Sequence, residues 1–407
     1  MEEIVIKICN GTENDTKDVL KKMCDKILSN NKRNDENDKK NKENKDKDGY
    51  VKIEPISNYK YSKLLSFLHY FSLYSDTQKS KLIYDYIHNT YFAPFKGTIT
   101  LTFGDVAESH VGMQKIGEMS EHGFSLTDIQ RAERFFKKKG CETRIVHLNK
   151  YLPNEAKDEE EKQFLEIAKK DKEFQAYVLI IRNGLNVLEN KELTKELATE
   201  MLVYDWDKKM YNTKKKEEQN KNARHNLNFD DKSQISNFNE GKGTTVAWED
   251  ARVLKSVRSK LIHIFGKNAE GLKCEGNKYY DPTGTGIGYH GDSERRKVIG
   301  VRLGKKMNLH YMWYFNDRPR GYNISFQLNP GDIYCMSEKS VGTDWRPVSK
   351  KGWTKKRYTL RHAAGVSKYT TDTPTIKLDK KETIDEITLW NIQFKQKKTT
   401  VWKKMYN

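Results

Sequence analysis

The sequence predicts an α+β chain: helical and small α/β elements up to about residue 200, then a strand-rich region that reads as an all-β sandwich or barrel. Three observations carry this. From residue 277 onward, short apolar runs follow one another: KVIGVRLG, LHYMWYF, YNISFQL, DIYCM, YTL, PTIKL and EITLWNIQF. Turn signals separate them, at Gly304-Lys305, Asn316 to Gly321 and Asn329-Pro330-Gly331, as many short strands require. Upstream, apolar residues recur at helical spacing, and strand-like runs come singly between helices.

The chain has 407 residues, enough for two or three domains. Four segments are expected. Residues 1–28 hold one helix, from Asp15 to Leu28, with Val19, Leu20, Met23 and Ile27 on one face. Residues 29–49 contain no apolar side chain and read as a disordered linker, because nothing there offsets the entropy of ordering. Residues 50–200 read as a helical and α/β accessory region, and residues 201–407 as the β domain.

Within the accessory region, Leu64, Leu65, Phe67, Leu68 and Phe71 form one helical stripe, and Leu82, Ile83, Tyr86 and Ile87 another. TITLTFGD (98–105), RIVHLNKYLP (144–153) and AYVLIIRNGL (176–185) read as strands. Two helices alternate with them. One is capped by Ser125 with Asp128 three residues on, close to a capping box. The other, EEEKQFLEIAKK, reads as exposed and charged. Strand, helix, strand, helix, strand suggests a small α/β unit, either separate or packed on the β domain. Residues 214–243 are polar and loop-like, broken by ARHNLNF, and GKGTT (241–245) is not a phosphate-binding loop. VAWEDARVLKSVRSKLIHIFG (246–266) starts as a strand and continues as a basic amphipathic helix.

Charge is heavy, 75 Lys plus Arg against 57 Asp plus Glu, for a net of +18. From residue 301 to the end there are 22 basic and 9 acidic residues, so +13 of that excess lies there. This suits a polyanionic partner such as nucleic acid, and suits solubility equally. Five scattered cysteines fit reduced thiols rather than a disulfide framework or a zinc site. No apolar stretch approaches the roughly 20 residues that span a bilayer, and no basic segment followed by an apolar one opens the chain. A cytoplasmic or nuclear, non-secreted and non-membrane protein is expected, as a monomer.

The chemistry concentrates in TGTGIGYHGDSERRKVIG, residues 283–300. His290 and Asp292 stand two apart, and on a strand residues i and i+2 share a face. An imidazole and a carboxylate so placed are two arms of a 2-His-1-carboxylate iron site. Glycines at 284, 286, 288 and 291 leave room for tight turns or a ligand. His362, in YTLRHAAG, is the candidate third arm; His310, in LHYMWYF, is expected to face the core. Asp105 and His110 in GDVAESHVGM lack a third ligand and are expected to serve a turn and a hydrogen bond.

NKYYDPTGTGIGYHGDSERRKVIGVRLG, LNPGDIYCMSEKSVGTDW and RYTLRHAAG together resemble the Fe(II)/2-oxoglutarate-dependent dioxygenases, in their AlkB-like branch, over residues 274–370. The upstream segments ARHNL and GDVAESHVGM resemble those of uncharacterised large-virus and algal proteins. The resemblance implies a double-stranded β-helix (jelly roll) holding Fe(II) through His290, Asp292 and His362. It implies 2-oxoglutarate and O2 as co-substrates, and hydroxylation or oxidative demethylation of a nucleobase in DNA or RNA. A protein side chain as substrate, a catalytically inactive binding module and a cupin-like metalloenzyme remain open. The family's co-substrate arginine follows the distal histidine; here Lys368 and Lys377 follow His362, and no arginine does. Arg357 therefore becomes the candidate carboxylate clamp, with Arg361 and Lys368 the other nearby cations. Asn277 and Tyr279 are candidates beside the same co-substrate. Glu294, Arg296, Trp345 and Arg346 are candidates at the substrate mouth, while Arg295 is expected to be a solvent-facing turn residue.

Overall fold

The computed structural model describes residues 95–189, 192–202, 204–346, 357–365 and 375–378. The expected helices before residue 95, the linker and the run EITLWNIQF lie outside them. The chain divides into two compact units, Met1–Phe95 with Ala198–Asp205, and Lys96–Leu197 with Trp206–Asn407. All elements named below belong to the second. It is a mixed α+β structure built on two large sheets.

The first sheet has eight strands. In chain order they are β1 (Thr98–Gly104), β4 (Thr143–His147), β5 (Tyr177–Ile181), β8 (His225–Asp230), β9 (Thr245–Ala247), β10 (Lys273–Tyr279), β12 (Val298–Gly304) and β15 (Ile333–Met336). Their spatial order is β4-β5-β15-β12-β1-β10-β8-β9. The second sheet has five strands, β11 (Gly286–His290), β13 (Met307–Phe315), β14 (Arg318–Leu328), β16 (Tyr358–Gly365) and β17 (Thr375–Lys377), ordered β11-β16-β13-β14-β17. Neighbours run antiparallel except β8–β9 and β14–β17. Two small hairpins complete the β structure: β2 (Val106–Glu108) with β3 (Lys115–Gly117), and β6 (Lys209–Asn212) with β7 (Glu217–Asn220).

Alternation along β1 explains its place. Ile99, Leu101 and Phe103 are wholly buried on one face, while Thr98, Thr100 and Thr102 take the other. Thr100 stands opposite Arg302 of β12 on one side and Asn277 of β10 on the other. On β12 the parity that carries Val298 into the core also carries Gly300 and Arg302. That core is one hydrophobic cluster fed by both sheets: Val178, Val298, Tyr334 and Met336 from the first, and Leu309, Tyr311, Trp313, Phe326 and Leu360 among those from the second. Among the described residues no strand is shared by the two sheets. The β13–β14 hairpin turns through Asn316 and Asp317, both at positive φ, the backbone that a two-residue hairpin loop demands.

Four helices matter here. α1 (Leu126–Lys138) starts at Ser125 with a complete capping box to Asp128, and buries Ile129, Ala132 and Phe136. α2 (Glu159–Lys170) spans the predicted EEEKQFLEIAKK. It is less exposed than its charges suggest: Glu161 is buried, taking Arg320 of β14 and the Tyr358 hydroxyl. α3 (Arg252–Phe265) turns Leu254, Val257, Leu261 and Ile264 inward. The single turn α4 (Glu338–Val341) follows β15.

The strands of residues 98–187 share a sheet with later ones: β12 and β15 lie between β1 and the β4–β5 pair. Local patterning encodes each strand's burial but not its partner, and β1 pairs with residues nearly two hundred positions away. Residues 214–243, read as polar and loop-like, contain the strand β7, which pairs with β6 just before them. The two strands are polar and none of their residues is buried, so no alternation marks them; a hydrogen bond of 2.7 Å from Asn212 Nδ2 to Gln219 Oε1 ties them across.

Strands from before and after residue 200 thus interleave in one sheet. A chain truncated to residues 201–407 is predicted to stay unfolded, because β10 and β12 lose the strand between them and the apolar face of Ile99, Leu101 and Phe103. Far-ultraviolet circular dichroism and amide exchange check this; a cooperatively folded truncation would contradict it.

Candidate metal centre

Strand pairing does most of the assembly. β11 runs antiparallel to β16 with His290 directly opposite His362. β16 continues onto β13, where His362 faces Tyr311. The two imidazole centroids are 4.5 Å apart. Asp292 arrives differently from the sequence expectation. β11 ends at His290, so the carboxylate is not brought round by strand alternation. It sits in the bend beyond, where its backbone N–H donates to Val341 O of α4 at 3.1 Å. Gly291 makes this possible, since a Cβ there would fall 1.9 Å from Gly342 O.

The donor atoms of His290, Asp292 and His362 all lie within 4.8 Å of one another. Each Nε2 stands 3.5 Å from Asp292 Oδ1. Two donors about 2.1 Å from one ion are about 3 Å apart at right angles, so this spacing leaves room for one small divalent ion. The imidazole chemistry fits too. His290 Nδ1 is 2.8 Å from Gly288 O; a carbonyl only accepts, so Nδ1 carries the proton and Nε2 keeps its lone pair toward the centre. His362 Nδ1 is buried without a partner. Burial, with His362 adding to it, lowers His290 to about 4, which keeps the ring neutral. Burial alone would raise Asp292, but His362, Arg295 and His290 together hold it below the ordinary carboxylate range. Two neutral nitrogens and one carboxylate can coordinate a divalent metal ion and leave its other positions open.

Behind Asp292 lies a buried polar chain. Arg295 was expected in solvent, yet it is only 4% exposed. Its guanidinium donates to Glu275 and, at 3.0 Å, to Glu294, and its Nε lies 3.7 Å from Asp292 Oδ2. Glu275 also accepts from Asn277 Nδ2 at 3.1 Å and from the Glu108 N–H at 3.3 Å. Asn277 Oδ1 in turn accepts from Arg224 and from Asn226 Nδ2. Asn277 is therefore a link in this chain.

The other sequence candidates scatter. Tyr279 is buried on the metal-facing side of β10, its hydroxyl pushed up by burial. Glu294 lines the Arg295 cluster. Arg296 turns to Glu338 at 2.5 Å, while its N–H is held by Asp105. The Asp105 carboxylate, expected to serve its own turn, instead accepts from the distant backbone N–H groups of Ser120, Arg296 and Lys297, and His110 makes a 3.2 Å contact with Val111 O. Trp345 packs against Gly291, between two metal ligands, with its indole N–H buried and unpaired. Arg346 and Arg361 lie over its ring at 4.9 and 5.1 Å. Arg361 also covers Tyr314 and pairs with Asp317. Strand parity sends Arg361 to the face opposite His362, and Arg357, just before β16, donates to Asp344 O at 2.8 Å. His310 contacts Gly365 O and stands outside the cluster. Lys368 lies outside the described residues.

Sequence reasoning missed Arg302. It is 1% exposed, on the inward face of β12. Its Nη1 donates to Thr100 Oγ1 at 2.5 Å; its Nε has no partner, and among the described residues no carboxylate lies within ion-pair distance. Tyr279 and Tyr334 each feel both its charge and that of Asp292. Tyr334 lies over Gly300, where a Cβ would meet its ring at 2.0 Å. The available signal was a lone arginine inside an otherwise apolar strand.

The crowding of carboxylates has a pH consequence. Burial, with Glu294 next, raises Glu108 to about 6. A raised carboxyl binds more protons folded than unfolded, so its share of stability is lost as pH rises through this range. Glu108→Gln is therefore predicted to raise the denaturation midpoint at pH 8 and to leave it unchanged at pH 4, read by urea titration.

Among the described residues no helix is long and apolar enough to cross a membrane. No protein-family model matches the chain, and no solved structure does. It is 41% identical over 274 residues, 67% of its length and 98% of the other's, to the uncharacterized protein R156 of Acanthamoeba polyphaga mimivirus. A likeness of that extent over nearly the whole viral protein makes this chain a member of the family to which mimivirus R156 belongs.

Proposed function

We propose that this protein is an Fe(II)- and 2-oxoglutarate-dependent oxygenase, with its two sheets facing each other as a double-stranded β-helix. The observation that carries the reading is the convergence of His290 and Asp292 with the distant His362 onto one point. Fe(II) held there, with the keto acid and O2, would supply the oxidising power for hydroxylation or demethylation. The oxygenase unit in this reading begins with β1, which completes the sheet that carries Arg302.

Arg302 supports the co-substrate assignment. A guanidinium buried without a counter-charge is costly unless an anion joins it. Its planar fork suits a carboxylate, and it lies on the sheet facing the second one. Tyr279 and Tyr334 are buried phenols that feel the charges of both Arg302 and Asp292. Arg302, rather than Arg357, is thus the clamp for the far carboxylate of 2-oxoglutarate. Arg295 keeps Asp292 ionised and aimed, and Trp345 shields the ligand loop from water. The net charge of +18 favours a nucleobase in DNA or RNA as substrate.

Succinate formation tests the reaction. It is expected in the parent protein with Fe(II), and lost in His290→Ala and Asp292→Ala. Arg302→Gln is predicted to raise the KM for 2-oxoglutarate roughly ten- to a hundredfold, as loss of a charged hydrogen-bond pair implies, with metal content unchanged. Arg357→Gln should stay within about twofold. Succinate formation that persists in both ligand variants would overturn the assignment; none in the parent across methylated DNA, RNA and peptide pools would favour a binding module.

A further inference from the structure

The wall that carries Arg302 holds two more cations on its inward face. Asn226 of β8, Asn277 of β10, Thr100 of β1 and Arg302 of β12 stand opposite one another in successive ladders, so their side chains share that face. Arg224, just before β8, reaches the same face: its Nε donates to Asn277 Oδ1. Asn226 Nδ2 donates to that oxygen too, at 2.9 Å. Asn226 Oδ1 in turn accepts from Lys221 Nζ at 2.9 Å, and Lys221 also donates to Ser109 O at 3.4 Å. One pair of amides thus braces both cations. The same pair is joined to the metal centre, since Asn277 leads through Glu275 and Arg295 to Asp292. The Arg224 charge is felt by His290 and by Tyr279.

Among the described residues no carboxylate lies within ion-pair distance of Arg224 or Lys221. The acids whose charge Lys221 feels, Asp207 and Glu275, are engaged elsewhere. Asp207 accepts from the Thr244 N–H at 2.7 Å and from its hydroxyl at 2.6 Å, and Glu275 accepts from Arg295. Lys221 is 8% exposed, and burial lowers it to about 8. Arg224 uses only Nε, and its two Nη groups have no partner. A guanidinium so held presents an open fork for an oxyanion. Burial separates it from Arg302. Arg302 is sealed in the wall and suits a small ligand enclosed whole, whereas Arg224 is half-buried and suits an anion on a ligand that continues into solvent. The net charge of +18 favours a polymer that carries an anion in every unit.

We propose that Arg224, braced on Asn277 and backed by Lys221, holds a backbone phosphate of a nucleotide substrate on the metal-facing side of the first sheet. Its two Nη groups donate to the phosphate oxygens while Nε stays on Asn277. The nucleotide is thereby positioned relative to Asp292 through the Asn277, Glu275 and Arg295 side chains. Calling that nucleotide a substrate rests on the oxygenase reading; the phosphate site stands on the first sheet alone.

Isothermal titration of the full chain tests this with the dinucleotide thymidylyl-thymidine, which has one charged phosphodiester, and with its uncharged methylphosphonate analogue. The parent should bind the charged form roughly ten- to a hundredfold more tightly, the range for a charged hydrogen-bond pair. Arg224→Gln should bring the two within about twofold by weakening the charged one, with cobalt(II) binding unchanged. Arg224→Lys keeps the charge and should restore part of the preference. Should Arg224→Gln fail to fold by circular dichroism, Arg224→Lys and the parent's own ratio still decide. The proposal fails if the parent binds both dinucleotides alike, or neither, or if Arg224→Gln keeps the parent's preference. Arg224-dependent binding of a glutamate-rich peptide without the dinucleotide preference would also overturn it, in favour of a carboxylate site. Succinate formation without the preference would sink the phosphate site alone. The preference, lost in Arg224→Gln, without succinate formation would sink the oxygenase reading alone.

Discussion

The register of β11 against β16 is the constraint on which the centre depends. It sets two imidazoles side by side from positions seventy-two residues apart. One slipped residue would turn either histidine to the other face of its sheet. β13 holds β16 from its far side, with Tyr311 opposite His362, so the register is fixed by a third strand deep in the shared core. Asp292 is positioned by a different device, a glycine-permitted approach of the α4 turn. Two independent supports thus meet at one point.

The polar interior of the first sheet is the counterpart of that point. Its outward face is filled by residues such as Ile99, Phe103, Phe229 and Val301. Its inward face, from β8 to β12, carries Asn226, Glu275, Asn277, Thr100 and Arg302. Burying so many polar groups stabilises nothing by itself, and each must find partners or lose free energy. Several do, through the chain from Arg224 to Asp292. Arg302 Nε does not, nor, on the second sheet, does His362 Nδ1. Partnerless groups gathered around a metal-ligand cluster fit a wall that a ligand completes.

Much of this was legible in the letters. His290, Asp292 and His362 were chosen by residue type and spacing, and they do cluster. The Ser125–Asp128 cap and the span of α2 were readable because both are local. What escaped was long-range. β1 reads as a strand, yet nothing local says that β10 and β12 are its partners. Arg295 looked like a turn residue because its three carboxylate neighbours, Glu275, Asp292 and Glu294, include one brought by another strand. Arg302 is not marked in the letters because its inward position depends on β12 being buried on both faces, which neighbouring elements decide. Arg357 is close to His362 in sequence, but it precedes the strand and its guanidinium is taken by Asp344.

The central claim is that three side chains hold one metal ion, and cobalt(II) titration of the full chain tests it most directly. Visible absorption should saturate at one ion per chain with mixed nitrogen and oxygen ligation, and replacing His362 with alanine should abolish it, as should Asp292→Ala. A His362→Ala protein that binds cobalt as tightly as the parent, with the same spectrum, would contradict the account.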